Sequence, residues 1–91
     1  MVHKEVLKKI KGGKMIKIEV ELDKGRIANV VISGDFFAYP LGAIENIERS
    51  LKGKRAEKEE IKKTIDQFRG KCTIVGATFD DIVDLLAQTL S

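Results

Sequence analysis

Few side chains in this sequence could do chemistry, and they do not assemble into a familiar set. The sharpest concentration is Ser33-Gly34-Asp35-Phe36-Phe37-Ala38-Tyr39-Pro40, which holds one carboxylate, three of the five aromatic residues and the single proline. Asp35 has two readings. Its carboxylate can tie down a turn by accepting backbone N–H groups, or it can order a ligand, position a lysine or contact a partner. Consecutive phenylalanines point different ways in an extended segment, so Phe36 and Phe37 rarely both enter one thin core; either at least one is available to a partner surface, or the pair forms a covered loop core. Tyr39 belongs to the same run.

The other reactive types are sparse. His3 is the only histidine and sits near a terminus, which argues against a metal centre; the carboxylates show no calcium or zinc spacing along the chain. Nucleophile–base chemistry lacks a second histidine and a base for any nucleophile. Cys72 is the only cysteine, and nothing beside it supplies a catalytic partner, so it reads as a small buried hydrophobe. Asp80, Asp81 and Asp84, like Glu57, Glu59 and Glu60, fall near helix starts, where the helix dipole accounts for them. Gly12-Gly13 lies outside any Gly-x-Gly-x-x-Gly or Walker pattern. It can let backbone approach a ligand, or simply turn the chain.

The elements that position these residues follow from periodicity. In residues 1–13, Val6, Leu7 and Ile10 fit either a short helix or an extended edge segment ended by Gly12-Gly13. The stretch carries Lys4, Lys8, Lys9 and Lys11, with Lys14 and Lys17 beyond. These lysines can serve a basic arm or protect an exposed edge. Residues 15–22 alternate, with Ile16, Ile18, Val20 and Leu22 on one face and Lys17, Glu19 and Glu21 on the other, which predicts a half-buried strand. Asp23-Lys24-Gly25-Arg26 supplies a turn into a second strand over 27–33. There Ala28, Val30 and Ile32 share one face, and Ile27 and Val31 the other, so this strand is expected to be the more central of the pair.

Leu41, Ile44, Ile47 and Leu51 then mark the buried stripe of a helix, with Pro40 at its first position and Gly53 just past its end. A charged connector over 52–58 leads to a helix from about Glu57 to Arg69, with Ile61, Ile65 and Phe68 inside and Gly70 as its stop. A short strand over 71–75 ends at Gly76. Thr78 and Asp81 are placed to form a capping box for a last helix, striped by Phe79, Ile82, Val83, Leu86 and Leu90. The expected fold class is α+β: a small, mostly antiparallel three-stranded sheet with helices packed on one face, in the order β-β-α-α-β-α.

Size and charge bound the rest. With 91 residues and 43% hydrophobic residues, the chain fits a single domain, 1–91, with a thin core. A net charge of +3, carried mostly by Lys and without Trp, argues against a nucleic-acid groove. No apolar run approaches a membrane span, and no disulfide framework suggests secretion, so a cytoplasmic location and no membrane partner are expected.

Set in order, Gly12-Gly13-Lys14-Met15-Ile16, the hairpin and Ser33-Gly34-Asp35-Phe36-Phe37 followed by Pro40 resemble the C-terminal accessory domain of lipoate–protein ligases. The whole chain resembles the stand-alone small subunit found where that ligase is split into two polypeptides, as in some archaea. Ile44, Glu45, Leu51 and Gly53 fit the same pattern, as does Ile74-Val75-Gly76-Ala77-Thr78-Phe79-Asp80-Asp81-Ile82-Val83. The resemblance implies a fold like that of iron–sulfur assembly scaffolds without their cysteine ligands. It also implies a chain that is not catalytic alone and binds no cofactor by itself; ATP, Mg2+ and lipoate belong to a catalytic large subunit. The implied reaction is activation of lipoate to lipoyl-AMP, followed by transfer to a lysine of an acceptor lipoyl domain, which meets the complex transiently. The candidate partner- or ligand-facing residues are Lys14, Gly34, Asp35, Phe36, Phe37 and Tyr39. An iron–sulfur-type scaffold and a small basic nucleic-acid-binding domain are the competing readings.

Overall fold

Alternation of Ile16, Ile18 and Val20 with Lys17, Glu19 and Glu21 is realised in the central strand of the sheet. A computed structural model describes residues 1–90. It places β2 (Met15–Asp23) between β1 (Val2–Lys9) and β3 (Arg26–Gly34), antiparallel to both. The β2–β3 hairpin turns on Lys24-Gly25, both at positive φ (53° and 76°), the geometry that matches strand twist in two-residue hairpins. Residues 1–13, open to two readings in the sequence, form edge strand β1 and a 3-10 turn at Lys11–Gly13. Lys8 and Lys9 stand exposed at the end of that strand.

The expectation that the second hairpin strand is the more central is corrected: β2 is central and β3 lies at the edge. β1 pairs with the other side of β2, and the apolar residues of both parities in β3 reflect a β-bulge. The register steps from Glu21 opposite Asn29 to Leu22 opposite Ile27, leaving Ala28 without a partner. The extra residue turns Ile27 onto the same side as Val30 and Ile32, and all three are buried, whereas Ala28 is exposed. Apolar residues on alternating parities therefore serve one face.

The edge of β3 is covered rather than open. Ile27 N–H donates to the Lys54 carbonyl at 2.9 Å, and Gly53 N–H donates to the Ile27 carbonyl at 2.7 Å. Further along, Ile32 N–H donates to the Glu48 carboxylate at 2.7 Å. The charged connector between the first two helices thus closes part of a sheet edge.

Three helices, α1 (Ala43–Leu51), α2 (Lys58–Asp66) and α3 (Phe79–Leu90), lie on one face. α1 packs on β3, α3 packs on β1 and β2, and α2 packs against α3. Ile47, Leu51, Ile61, Ile65, Ile82 and Leu86 meet Ile16, Ile18 and Val20 in one core. Thr64 and Thr89 are buried among them, and each hydroxyl donates to the carbonyl one turn back. α3 opens with the expected capping box: Asp81 N–H donates to Thr78 Oγ1 at 3.0 Å, and Thr78 N–H donates to Asp81 Oδ2 at 2.9 Å. α2 stops at Asp66 instead of Arg69, because Gln67, Phe68 and Arg69 bond to carbonyls three residues back and tighten the last turn.

The short strand near residue 74, β5 (Thr73–Val75), does not join the main sheet. It pairs antiparallel with β4 (Phe37–Tyr39) in a separate two-stranded ribbon. The α+β class and the three-stranded antiparallel sheet with helices on one face hold; β1 supplies the third strand. No helix among the described residues is long and apolar enough to cross a membrane.

Candidate functional site

The junction after β3 is built around a close backbone approach. Gly34 has φ 152°, and a Cβ there would collide with the Met15 carbonyl oxygen. Glycine lets β3 pass the start of β2 at that spacing. Asp35 then fastens the two strands. Its N–H donates to the Met15 carbonyl at 2.8 Å, and its carboxylate accepts the Met15 N–H at 3.1 Å. The carboxylate orders the junction by accepting a backbone N–H, as one sequence reading holds. The donor lies across the sheet on β2 instead of within the turn.

The glycine pair at the β1–β2 connection reaches the same place. Gly12 and Gly13 have φ 81° and 78°. The turn closes through Ile10 N–H to the Lys14 carbonyl at 2.7 Å and Gly13 N–H to the Ile10 carbonyl at 3.1 Å. An open cleft of about 500 Å³ is lined by Gly12, Gly13, Lys14, Gly34, Asp35, Phe36 and Phe37. Two sequence segments separated by the whole hairpin thus form one surface. Its ionisable side chains are Lys14 and Asp35, and Asp35 is already engaged with Met15. The cleft offers backbone, one ammonium group and aromatic surface. That suits docking or anion contact better than proton transfer.

Phe36 and Phe37 divide as their opposite directions require. Phe36 is half-buried and packs against the core, whereas Phe37 is 68% exposed. Phe37 lies opposite Val75 across the ribbon, and Tyr39 lies opposite Thr73. Ala38 and Ile74, on the alternate positions, are the half-buried pair. The outward face therefore presents Phe37, Tyr39 (58% exposed) and Val75 (51% exposed). Tyr39 does not line the cleft with the other candidates; it borders a neighbouring hollow with Pro40, Gly70, Lys71, Cys72 and Thr73.

Two positions depart from the sequence reading. Leu41, assigned there to the buried stripe of α1, is 101% exposed. Pro40 is not the first helical residue either. A turn spans Pro40–Ala43, with Ala43 N–H bonded to the Pro40 carbonyl at 3.0 Å and Gly42 at φ 88°, and the helix begins only at Ala43. The adjacent Pro-Leu-Gly order carries the signal for that turn. Gly76 is the second. A Cβ there would lie 3.1 Å from the Asp35 carbonyl oxygen and 3.4 Å from Phe36 Cα, so glycine lets the end of β5 close onto the junction. Cys72, expected to be buried, is half-buried against the core: its thiol donates to the Phe68 carbonyl at 3.7 Å, and burial pushes its pKa up.

Residues 3–86 match the family model described as "Bacterial lipoate protein ligase C-terminus". The chain belongs to the lipoate protein ligase C-terminal family. Lipoate-protein ligase A subunit 2 of Thermoplasma acidophilum is 41% identical over 44 residues, covering 48% of this chain and 47% of that protein. The alignment thus spans about half the length of that relative. A solved structure from the same organism superimposes with a TM-score of 0.74 at 31% identity, covering 94% of this chain and 93% of the other. It is described as an archaeal lipoylation system, a bi-partite lipoate protein ligase with its E2 lipoyl domain. Within this ligase family domain, the Gly-Gly-Lys and Gly-Asp-Phe-Phe segments are the ones that meet in the cleft.

Proposed function

We propose that this chain is the accessory subunit of a two-chain lipoate–protein ligase and docks a catalytic subunit through the β4–β5 ribbon. The carrying observation is the exposed apolar face of Phe37, Tyr39 and Val75 on the β4–β5 ribbon, which follows the Gly34–Asp35 junction and adjoins a cleft without an acid–base pair. Such a face is costly in water and suits a partner of apolar and aromatic character. Near-complete superposition on a chain of the bi-partite archaeal system supports a separate subunit of this size.

In this reading the partner binds lipoate, ATP and Mg2+ and forms lipoyl-AMP with release of pyrophosphate. Transfer to an acceptor-domain lysine then forms the amide and releases AMP. The chain supplies neither nucleophile nor base. Asp35 and Gly34 fix the shape of the docking junction, and Lys14 stands at the cleft rim to meet an anionic group of the partner or its bound adenylate. The complex works in the cytoplasm. Titration of this chain into the catalytic subunit by calorimetry tests the docking step. Saturable binding that weakens in Phe37→Ala supports it, and undiminished binding by a Phe37/Val75 double alanine variant overturns the assigned face.

A further inference from the structure

The open face of the sheet, opposite the helices, carries a second cluster that the docking reading does not use. His3 and Glu5 are two residues apart on β1, so their side chains leave the same face. Glu19 on β2 is directly opposite Glu5, and Glu21 is directly opposite His3. Facing carboxylates on neighbouring strands repel and destabilise a sheet. Here Lys17 offsets part of that charge, with its ammonium 3.8 Å from Glu19 Oε1. His3 Nε2 lies 3.7 Å from Glu5 Oε2.

One ligand atom from each of His3, Glu5 and Glu19 lies within 4.8 Å of the other two. We infer that these three side chains form a surface site for a divalent cation of the zinc class. An imidazole nitrogen with two carboxylate oxygens is a donor set suited to zinc and its first-row neighbours; magnesium and calcium prefer oxygen alone. The three ligands leave the remaining coordination positions to water. The strand backbone fixes the three Cβ positions, and rotation of exposed side chains brings the donors to the roughly 2 Å distances that zinc requires. Linear spacing hides this site, because its third ligand arrives across the hairpin rather than along β1. The inference is independent of the ligase reading.

The test is calorimetric titration of the full chain with zinc chloride, with thermal melts in parallel. The expected result is one saturable site, and a Tm raised on the order of 10 °C when zinc stands at about a hundred times its dissociation constant. His3→Ala, Glu5→Gln and Glu19→Gln each weaken binding by about tenfold or more. All three positions are on the sheet surface, and circular dichroism checks that each variant folds. Cys72→Ser and Glu45→Gln bind as the parent does. Absence of saturable binding overturns the inference, as does parental affinity in the His3 and Glu19 variants or loss of binding in Cys72→Ser.

Discussion

Asp35 and Met15 hold each other by two hydrogen bonds across the sheet: the Asp35 N–H donates to the Met15 carbonyl at 2.8 Å, and its carboxylate accepts the Met15 N–H at 3.1 Å. This pair sets the direction in which the chain leaves β3. It thereby decides that Phe36 turns inward and Phe37 outward.

Gly34 makes that approach possible, so Gly34→Ala is expected to cost at least about 2 kcal/mol. The added methyl meets the Met15 carbonyl, a backbone atom that cannot rotate away. Gly12→Ala has open space around it and bears only the positive-φ penalty, about 1 kcal/mol. Urea midpoints of the two variants, measured side by side, check the difference.

The two phenylalanines separate stability from docking. Phe36→Ala removes core contact and is expected to lower stability by about 2 kcal/mol. Phe37→Ala leaves stability within about 0.5 kcal/mol. Binding to the catalytic subunit should respond in the reverse sense, with Phe37→Ala the more damaging once Phe36→Ala is assayed at a temperature where it is folded.

Glu48 guards an edge. Its carboxylate receives the Ile32 N–H at 2.7 Å, which anchors α1 to β3. Glu48→Ala leaves that donor without its partner and should cost about 1.5 kcal/mol. The corresponding fall in Tm is on the order of 5–10 °C. Glu48→Gln retains an acceptor and loses less. Hydrogen exchange at the Ile32 amide reports the local consequence directly.

Acid should loosen the join between α2 and α3. Hydrogen bonds from Lys62 and then Arg69 hold the Asp66 carboxyl below its ordinary value of 3.8. Arg69 also binds Asp80 at 2.6 Å and stacks over the Phe79 ring at 5.4 Å, so it ties the end of α2 to the start of α3. A depressed carboxylate stabilises the fold fully above its unfolded pKa, and that stability is lost as pH falls through the folded one. The window therefore lies below pH 3.8. The group is exposed, so the effect is small. Melting temperatures of the parent and Asp66→Asn should differ slightly at neutral pH and converge as acid protonates Asp66.

Local signals carried much of the fold. Strict alternation over Ile16–Leu22, the Lys24-Gly25 turn, Gly53 beyond α1 and the Thr78/Asp81 box each act within a few residues, and each stands where the pattern placed it. What stayed hidden depends on pairing across the chain. Ala28 looks like a core position until the bulge reverses the parity of Ile27. Leu41 fits a helical stripe until the Pro40–Ala43 turn delays the helix. The strand at 73–75 was legible, but its partner was not, because β4 is three residues long and lies within what reads as a junction. In the candidate site, Lys14, Gly34, Asp35, Phe36 and Phe37 come together, while Tyr39 faces the neighbouring hollow and Gly76 gains its role only through contact.

The most direct measurement is the rate of lipoyl-AMP formation from lipoate and ATP by the catalytic subunit, with and without this chain. The account predicts that activation is slow for the catalytic subunit alone, rises on addition of the parent chain, and is poorly restored by Phe37→Ala at equal concentration. An equal rate in the presence and absence of the chain would contradict it.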